Sequence, residues 1–286
     1  MESDALLKVK ELALKKQKVY HQSRLAYLLR SVLAGIFVGF GVIIAFKTGN
    51  LFYTDGSPLA YPMAAITFGS AIILIAYGGG DLFTGNTFYY TYTSLRKKML
   101  WNEVPKLLTL SYIGNFLGAV LFAILIYFSG LFNDPAVNQF LLSVTERKMN
   151  APWLELFFRG ILCNWLVCLA FFIPMTMKNE AAKIFTMVLF VFGFFISGYE
   201  HSIANMSTFA TSLIINHPET ISLSGAIHNL IPVTIGNILG GSLFMGGFYY
   251  FINQTKEKDI KNTGTVLSPE KASSWKIHSA HSPSKH

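Results

Sequence analysis

Apolar residues run along this chain in long stretches, at about 29–47, 62–95, 107–129, 156–176, 184–213 and 229–252. Stretches of ~20 predominantly apolar residues match the length of a helix that crosses a hydrocarbon core. The pattern therefore predicts an all-α membrane protein with six transmembrane helices. It divides the chain into an amphipathic arm (1–28), a pore domain (29–253) and a polar, disordered tail (254–286). Spans two and five are too long for one simple crossing, and glycine interrupts each, at Gly78-Gly79-Gly80-Asp81 and at Ser197-Gly198. Irregular backbone at membrane depth persists only where protein buries it or where it lines a cavity. Broken helices in corresponding positions point to a transport site.

Three short matches recur in the same order along the chain. GGDLFTGN (79–86) aligns with GYEHSIAN (198–205), IGNFLG (113–118) with IGNILG (235–240), and LLRSVL (28–33) with FFRGIL (157–162). Colinear matches at offsets of 119, 122 and 129 residues indicate an internal duplication, with repeats at about 29–129 and 156–252. Each repeat holds an odd number of spans, so the second must insert upside down relative to the first. Two inverted three-helix repeats, with helices two and five broken, place a pore at their interface.

Composition agrees with the pattern: 52% of residues are hydrophobic, 13% are charged, and mean hydropathy is +0.44. An average soluble domain carries about 25% charged residues. The net charge of +8 sits mainly in the arm and the tail, flanking the spans, with no basic stripe interleaved with aromatics. That placement signals membrane orientation rather than nucleic acid. Arg96, Lys97, Lys98 and Lys106 follow span two, and Lys178 and Lys183 follow span four, whereas the connection after span five has no basic residue. Both termini are therefore expected to face the cytoplasm of a multi-pass plasma or inner-membrane protein, with Arg147 and Lys148 as exceptions. The arm lacks the apolar region of a cleavable signal peptide. It could lie flat on the cytoplasmic leaflet or extend as a solvated helix. Cys163 and Cys168 are badly placed for a disulfide or a metal. With no HExxH motif and no cysteine–histidine cluster, no enzyme, metal or cofactor is expected. His278, His281 and His286 in the tail read as solvated.

Ionisable residues within spans are functional candidates, and here they are Asp81, Glu200 and His201, all at the two breaks. Asp81 and Glu200 occupy equivalent repeat positions. Each is expected to accept hydrogen bonds from freed backbone N–H groups and pin its loop. His201 has no counterpart, because Leu82 stands in its place. Imidazole beside a carboxylate at a glycine break suits a pore that binds an anion or handles a proton. The Gly114-Asn115 and Gly236-Asn237 pairs suit close helix approach, with the asparagines bonding across helices or to the broken loops.

GGDLFTGN (79–86), GILCNWLVCLA (160–170), SGYEHSIANM (197–206) and NLIPVTIGNILGG (229–241) resemble the formate–nitrite transporter family, over about residues 24–252. That resemblance implies an aquaporin-like protomer, assembled as a homopentamer in the lipid bilayer with one substrate pore per subunit. It implies that His201 is the central histidine, with Thr84 on the facing loop, and that Phe68, Ile72, Leu82 and Phe194 form apolar constrictions. Ile72 stands where leucine is usual in the family. The resemblance also assigns Lys148, Asn164 and Asn205 to the attraction of anions.

The function expected is proton-linked passage of small monovalent anions of weak acids, such as formate or nitrite. A bare charge at the apolar midplane costs about 3 to more than 10 kcal/mol. Neutralising an acid of pKa ~4 at pH 7 costs roughly 4 kcal/mol. His201 either donates or relays that proton, or stays neutral and only hydrogen-bonds while water supplies it. The alternative is an aquaporin-like channel for neutral solutes, but such a channel should carry Asn-Pro-Ala at both breaks, and this chain carries neither.

Overall fold

A computed structural model describes residues 2–254; the expected tail lies, from residue 255 onward, outside the described residues. The arm is helix α1 (Glu2–Gln22), and α2 (Arg24–Tyr53) follows almost without a break. Ser23 caps α2, its hydroxyl accepting the Ala26 N–H at 3.1 Å. Span two divides into α3 (Ala60–Phe68), α4 (Ser70–Gly78) and α5 (Phe83–Leu95), and span three is α6 (Val104–Phe128). A short helix α7 (Gln139–Met149) precedes α8 (Trp153–Phe172). Span five divides into α9 (Glu180–Ile196) and α10 (Ser202–Ile214), and α11 (Leu223–Leu239) runs into a π-helical segment, Gly240–Gly247. Among the described residues, five helices are long and apolar enough to cross a membrane unaided: Arg24–Tyr53, Ala60–Gly78, Val104–Phe128, Trp153–Thr176 and Leu223–Gln254.

The arm is not a free solvated extension: it docks on the chain's own helices. Its face of Ala5, Leu6, Val9, Ala13 and Tyr20 is buried, packed against α5, α2 and the turn at 173–176. Lys8 fastens the arm to the Met175 carbonyl at 2.6 Å, and His21 meets Glu103 at 2.6 Å. The alternation of short apolar and basic residues that reads as a membrane-surface helix here serves docking onto the chain's own helices.

The repeat motifs meet in space. LLRSVL of α2 packs on IGNFLG of α6, and FFRGIL of α8 packs on IGNILG of α11. Glycine makes this approach possible. A Cβ on Gly114 would strike Ser31 Cβ and crowd the Leu28 carbonyl, and one on Gly118 would strike the Val32 carbonyl; one on Gly236 or Gly240 would strike the carbonyl of Phe157 or Ile161. These are equivalent pairs in the two halves. Membrane helices gain little from hydrophobic exclusion by lipid, so such close van der Waals packing carries much of their association.

Gly118→Ala should therefore lower stability by about 1–3 kcal/mol, since overpacking of this size is not relieved by a rotamer change. Gly193→Ala is the control, because the added methyl would meet only Leu166 Cδ1 at 3.9 Å. Thermal unfolding in detergent should show a lower midpoint for the first variant and none for the second.

Candidate functional site

Both glycine breaks use the same backbone device. Gly79 and Gly198 take positive φ, +75° and +72°, a region that costs glycine little. The chain then turns to start α5 and α10. The Asp81 N–H donates to the Arg30 carbonyl at 2.9 Å, and the Glu200 N–H donates to the Arg159 carbonyl at 3.3 Å. One asparagine clamps each loop. Asn115 accepts the Phe83 N–H at 2.9 Å and donates to the carbonyls of Asp81 at 2.9 Å and Ser31 at 2.7 Å. Asn237 accepts the Ser202 N–H at 2.8 Å and donates to Glu200 at 2.9 Å and Gly160 at 2.8 Å. The freed N–H groups are thus held by the asparagines and by the Arg30 and Arg159 carbonyls, and not, as expected, by the two carboxylates.

Each carboxylate instead meets a lysine and an asparagine. Asp81 binds Lys16 of the arm at 3.1 Å and also Asn86, whose amide oxygen accepts from the same lysine at 2.6 Å. Glu200 binds Lys148 of α7 at 2.9 Å and Asn205 at 2.6 Å. Asn205 donates to Asn229 as well, at 2.8 Å, and Asn229 reaches the Lys148 carbonyl at 2.8 Å. Asp81 and Glu200 are buried, where an unpartnered charge would be very costly. Sequence reading missed Lys16 and Asn229. Lys16 lies outside the repeat and is recognisable only by asking which cation could match Lys148.

The N-termini of α5 and α10 meet at the centre, where Thr84 Oγ1 lies 3.0 Å from His201 Nε2. His201 caps its own helix, Nδ1 accepting the Ala204 N–H at 3.0 Å. The imidazole stacks on Phe194 at 5.9 Å between centroids and 19° between planes. Two small voids flank this pair. Phe68, Ile72, Leu82, Phe194 and His201 line one of about 20 Å³. Phe68, Phe194, His201, Asn205 and Lys148 line the other, of about 30 Å³. Each is about the volume that one water molecule occupies in the liquid. Beyond them open two mouths: one of about 200 Å³ beside Lys148, Arg147 and Arg159, the other of about 450 Å³ beside Lys16 and Arg30.

The four expected constriction residues are thus together around the centre, as are His201 and Thr84. Asn164 is set behind them. Its amide donates to the carbonyls of Thr84 at 3.1 Å and Asn237 at 2.6 Å, and to Thr87 Oγ1 at 3.0 Å, and it borders neither void nor either mouth.

Comparison with known proteins gives one consistent result. A family model described as formate/nitrite transporter matches residues 3–251. An uncharacterised transporter of Bacillus subtilis, YwcJ, is 61% identical over 88% of this chain and 99% of its own length. The Escherichia coli nitrite transporter NirC is 40% identical, covering 79% of this chain and 83% of its own. Among solved structures, an FNT family ion channel superposes with a TM-score of 0.82 at 34% identity, covering 87% of this chain and 99% of its own. A pentameric formate channel with formate bound gives 0.65 at 26%, covering 79% and 98%.

Replacing Asn115 or Asn237 with leucine would leave one N–H and one carbonyl of its loop without their partner, and would remove a further hydrogen bond to the carbonyl of Ser31 or Gly160 in the neighbouring helix. At about 1–3 kcal/mol per unsatisfied group, each variant should lose several kcal/mol. Detergent-solubilised yield and thermal midpoint should fall to a similar extent in both, because the two clamps are equivalent.

Proposed function

The chain belongs to the formate/nitrite transporter family, and from that premise we propose that it passes small monovalent anions of weak acids, formate or nitrite, by a proton-linked route through the Thr84–His201 centre. Membership makes it a multi-pass membrane transport protein rather than an enzyme. The meeting of two half-helix N-termini between two lysine-bearing mouths carries the reading. Helix N-termini present unpaired N–H groups and positive dipole ends, which favour an anion or the electronegative oxygens of its acid. Lys16 and Lys148 draw the anion to either mouth, and Asn205 helps position Lys148 through their shared carboxylate, Glu200. Asp81 and Glu200 stabilise the broken loops by anchoring these lysines. Asn164 acts indirectly, by fixing the Thr84 carbonyl.

Phe68, Ile72, Leu82 and Phe194 offer no charge compensation, so the species that passes them is the neutral acid. Its formation costs roughly 4 kcal/mol at pH 7 for an acid of pKa ~4, against about 3 to more than 10 for the bare anion. Of the two roles open to His201, hydrogen bonding without titration is the one its contacts favour. Nδ1 already accepts the Ala204 N–H, so the proton of a neutral ring belongs on Nε2, facing Thr84. A second proton would set N–H against N–H and uncap α10. Water in the mouths therefore supplies the proton, and His201 donates a hydrogen bond from Nε2.

The pentameric formate channel among the structural neighbours supports assembly as a homopentamer with a pore in each protomer. The sorting of Lys and Arg among the connections supports insertion in the plasma or inner membrane with the termini cytoplasmic, which makes the Lys16 mouth the inner one.

Uptake of formate and nitrite into proteoliposomes should rise about tenfold for each unit that external pH falls, while glycerol stays outside. His201→Asn retains a side chain that caps helices well. It should lower the rate roughly tenfold, the worth of one hydrogen bond, and keep the pH slope. A flattened slope in that variant would restore the relay.

A further inference from the structure

The two mouths match in their Lys–carboxylate–Asn groups but not in size or surplus charge. The mouth under the arm encloses about 450 Å³, against about 200 Å³ at the other. Lys8, Lys15, Lys16, Arg30 and Lys183 border the larger one, with Asp81 as its single carboxylate. Lys16 is committed to Asp81, and Lys183 to Glu180. Lys8 donates to the Met175 carbonyl and Arg30 to the Gly79 carbonyl at 3.5 Å, neutral partners that leave the positive charge uncancelled. Among the described residues, no ion pair compensates Lys8, Lys15 or Arg30. At the other mouth, Glu200 pairs with Lys148 and Glu155 with Arg159, which leaves Arg147, set over the Tyr61 ring, as the one bordering cation without an ion pair among the described residues, against three on the arm side.

A monovalent anion waiting for a proton needs one cation, and each mouth already has that in Lys16 or Lys148. The surplus on the arm side suits an anion of higher charge. We propose that this cavity binds a small multivalent anion through a phosphate group, held by Lys8, Lys15 and Arg30 above Leu82. A phosphate monoester carries close to two negative charges at pH 7 and presents three acceptor oxygens. One proton cannot neutralise it, so it cannot follow the transported acid past the apolar residues. Bound there, it occupies the approach to the pore and lowers flux from that side. This consequence for flux rests on the transport reading; the binding does not.

The phosphate could belong to a free anion or to a lipid headgroup, and reconstitution separates the two. Binding of radiolabelled inorganic phosphate and adenosine monophosphate would be measured on the full chain in phosphatidylcholine nanodiscs, at constant chloride. Saturable binding that the double variant Lys8→Gln, Lys15→Gln weakens roughly tenfold supports a free-phosphate site. If the free anions fail to bind, native mass spectrometry of discs containing phosphatidic acid, whose headgroup is a phosphate monoester, tests the other source. Retained phosphatidic acid that the same variant releases supports a headgroup site. Absence of both, or binding indifferent to the two lysines, overturns the proposal. Uptake of formate with and without phosphate on the arm side then reads the flux consequence, as a ratio within each protein. Binding without any uptake would count against the transport reading alone.

Discussion

The molecule depends on satisfying backbone polar groups where two membrane-length helices are cut by glycine. Away from water, each freed N–H or C=O must find a partner inside the protein. Asn115 and Asn237 meet that demand with one acceptor and two donors each, on three backbone groups apiece. A carboxylate could accept the N–H but could not donate to the carbonyls. A lysine could do only the reverse. Asparagine does both from one short side chain, and glycine one residue before it lets the helix carrying it approach closely enough to reach. The clamp and the close packing are therefore one device: the asparagine reaches its loop only because Gly114 and Gly236 bring the helices together.

With the backbone satisfied, the carboxylates are free for another use. Asp81 and Glu200 are buried beside a lysine and an asparagine each. Buried ion pairs contribute little net stability, and removing one partner is strongly destabilising. Such a pair persists for what it positions. Here it holds a lysine at either mouth with part of its charge balanced, which on the proposed reading attracts an anion without binding it so tightly that it stays. The two lysines come from unrelated elements, Lys16 from the arm and Lys148 from α7. The function of the pair is thus kept symmetric where the chain is not.

Much of this was legible in the sequence because membrane depth restricts the options. Uninterrupted apolar runs, paired glycine breaks and three colinear matches led to the broken helices and their equivalence. The same matches proved to be the surfaces that touch. What the sequence hid followed from long-range contact. Nothing local to Lys16 distinguishes it from Lys15 or Lys18, and only the docking of α1 brings it 65 residues along the chain to Asp81. The amphipathic arm read equally well as a membrane-surface helix, since burial against lipid and burial against protein ask for the same periodicity. Asn164, placed by resemblance among the anion-attracting residues, lies behind the wall, because its position on α8 fixes its height in the pore but not which neighbours its amide meets.

Within this near-symmetric frame, the centre differs at one position: Leu82 in the first half, His201 in the second. The consequences are opposite at the two half-helix starts. His201 caps α10 through Nδ1, which absorbs one of that helix's N–H donors and turns Nε2 toward Thr84. Leu82 gives α5 no side-chain cap: apart from the Phe83 N–H that Asn115 takes, the start of that helix lies beneath an apolar side chain bordering the arm-side mouth. Two histidines would face each other across the centre as competing donors, and two leucines would leave an apolar plug with nothing to hydrogen-bond a passing acid. One of each supplies a single oriented donor within an otherwise apolar constriction. On the proposed reading, that is the least polarity that can guide a small acid without making a charge comfortable at the centre.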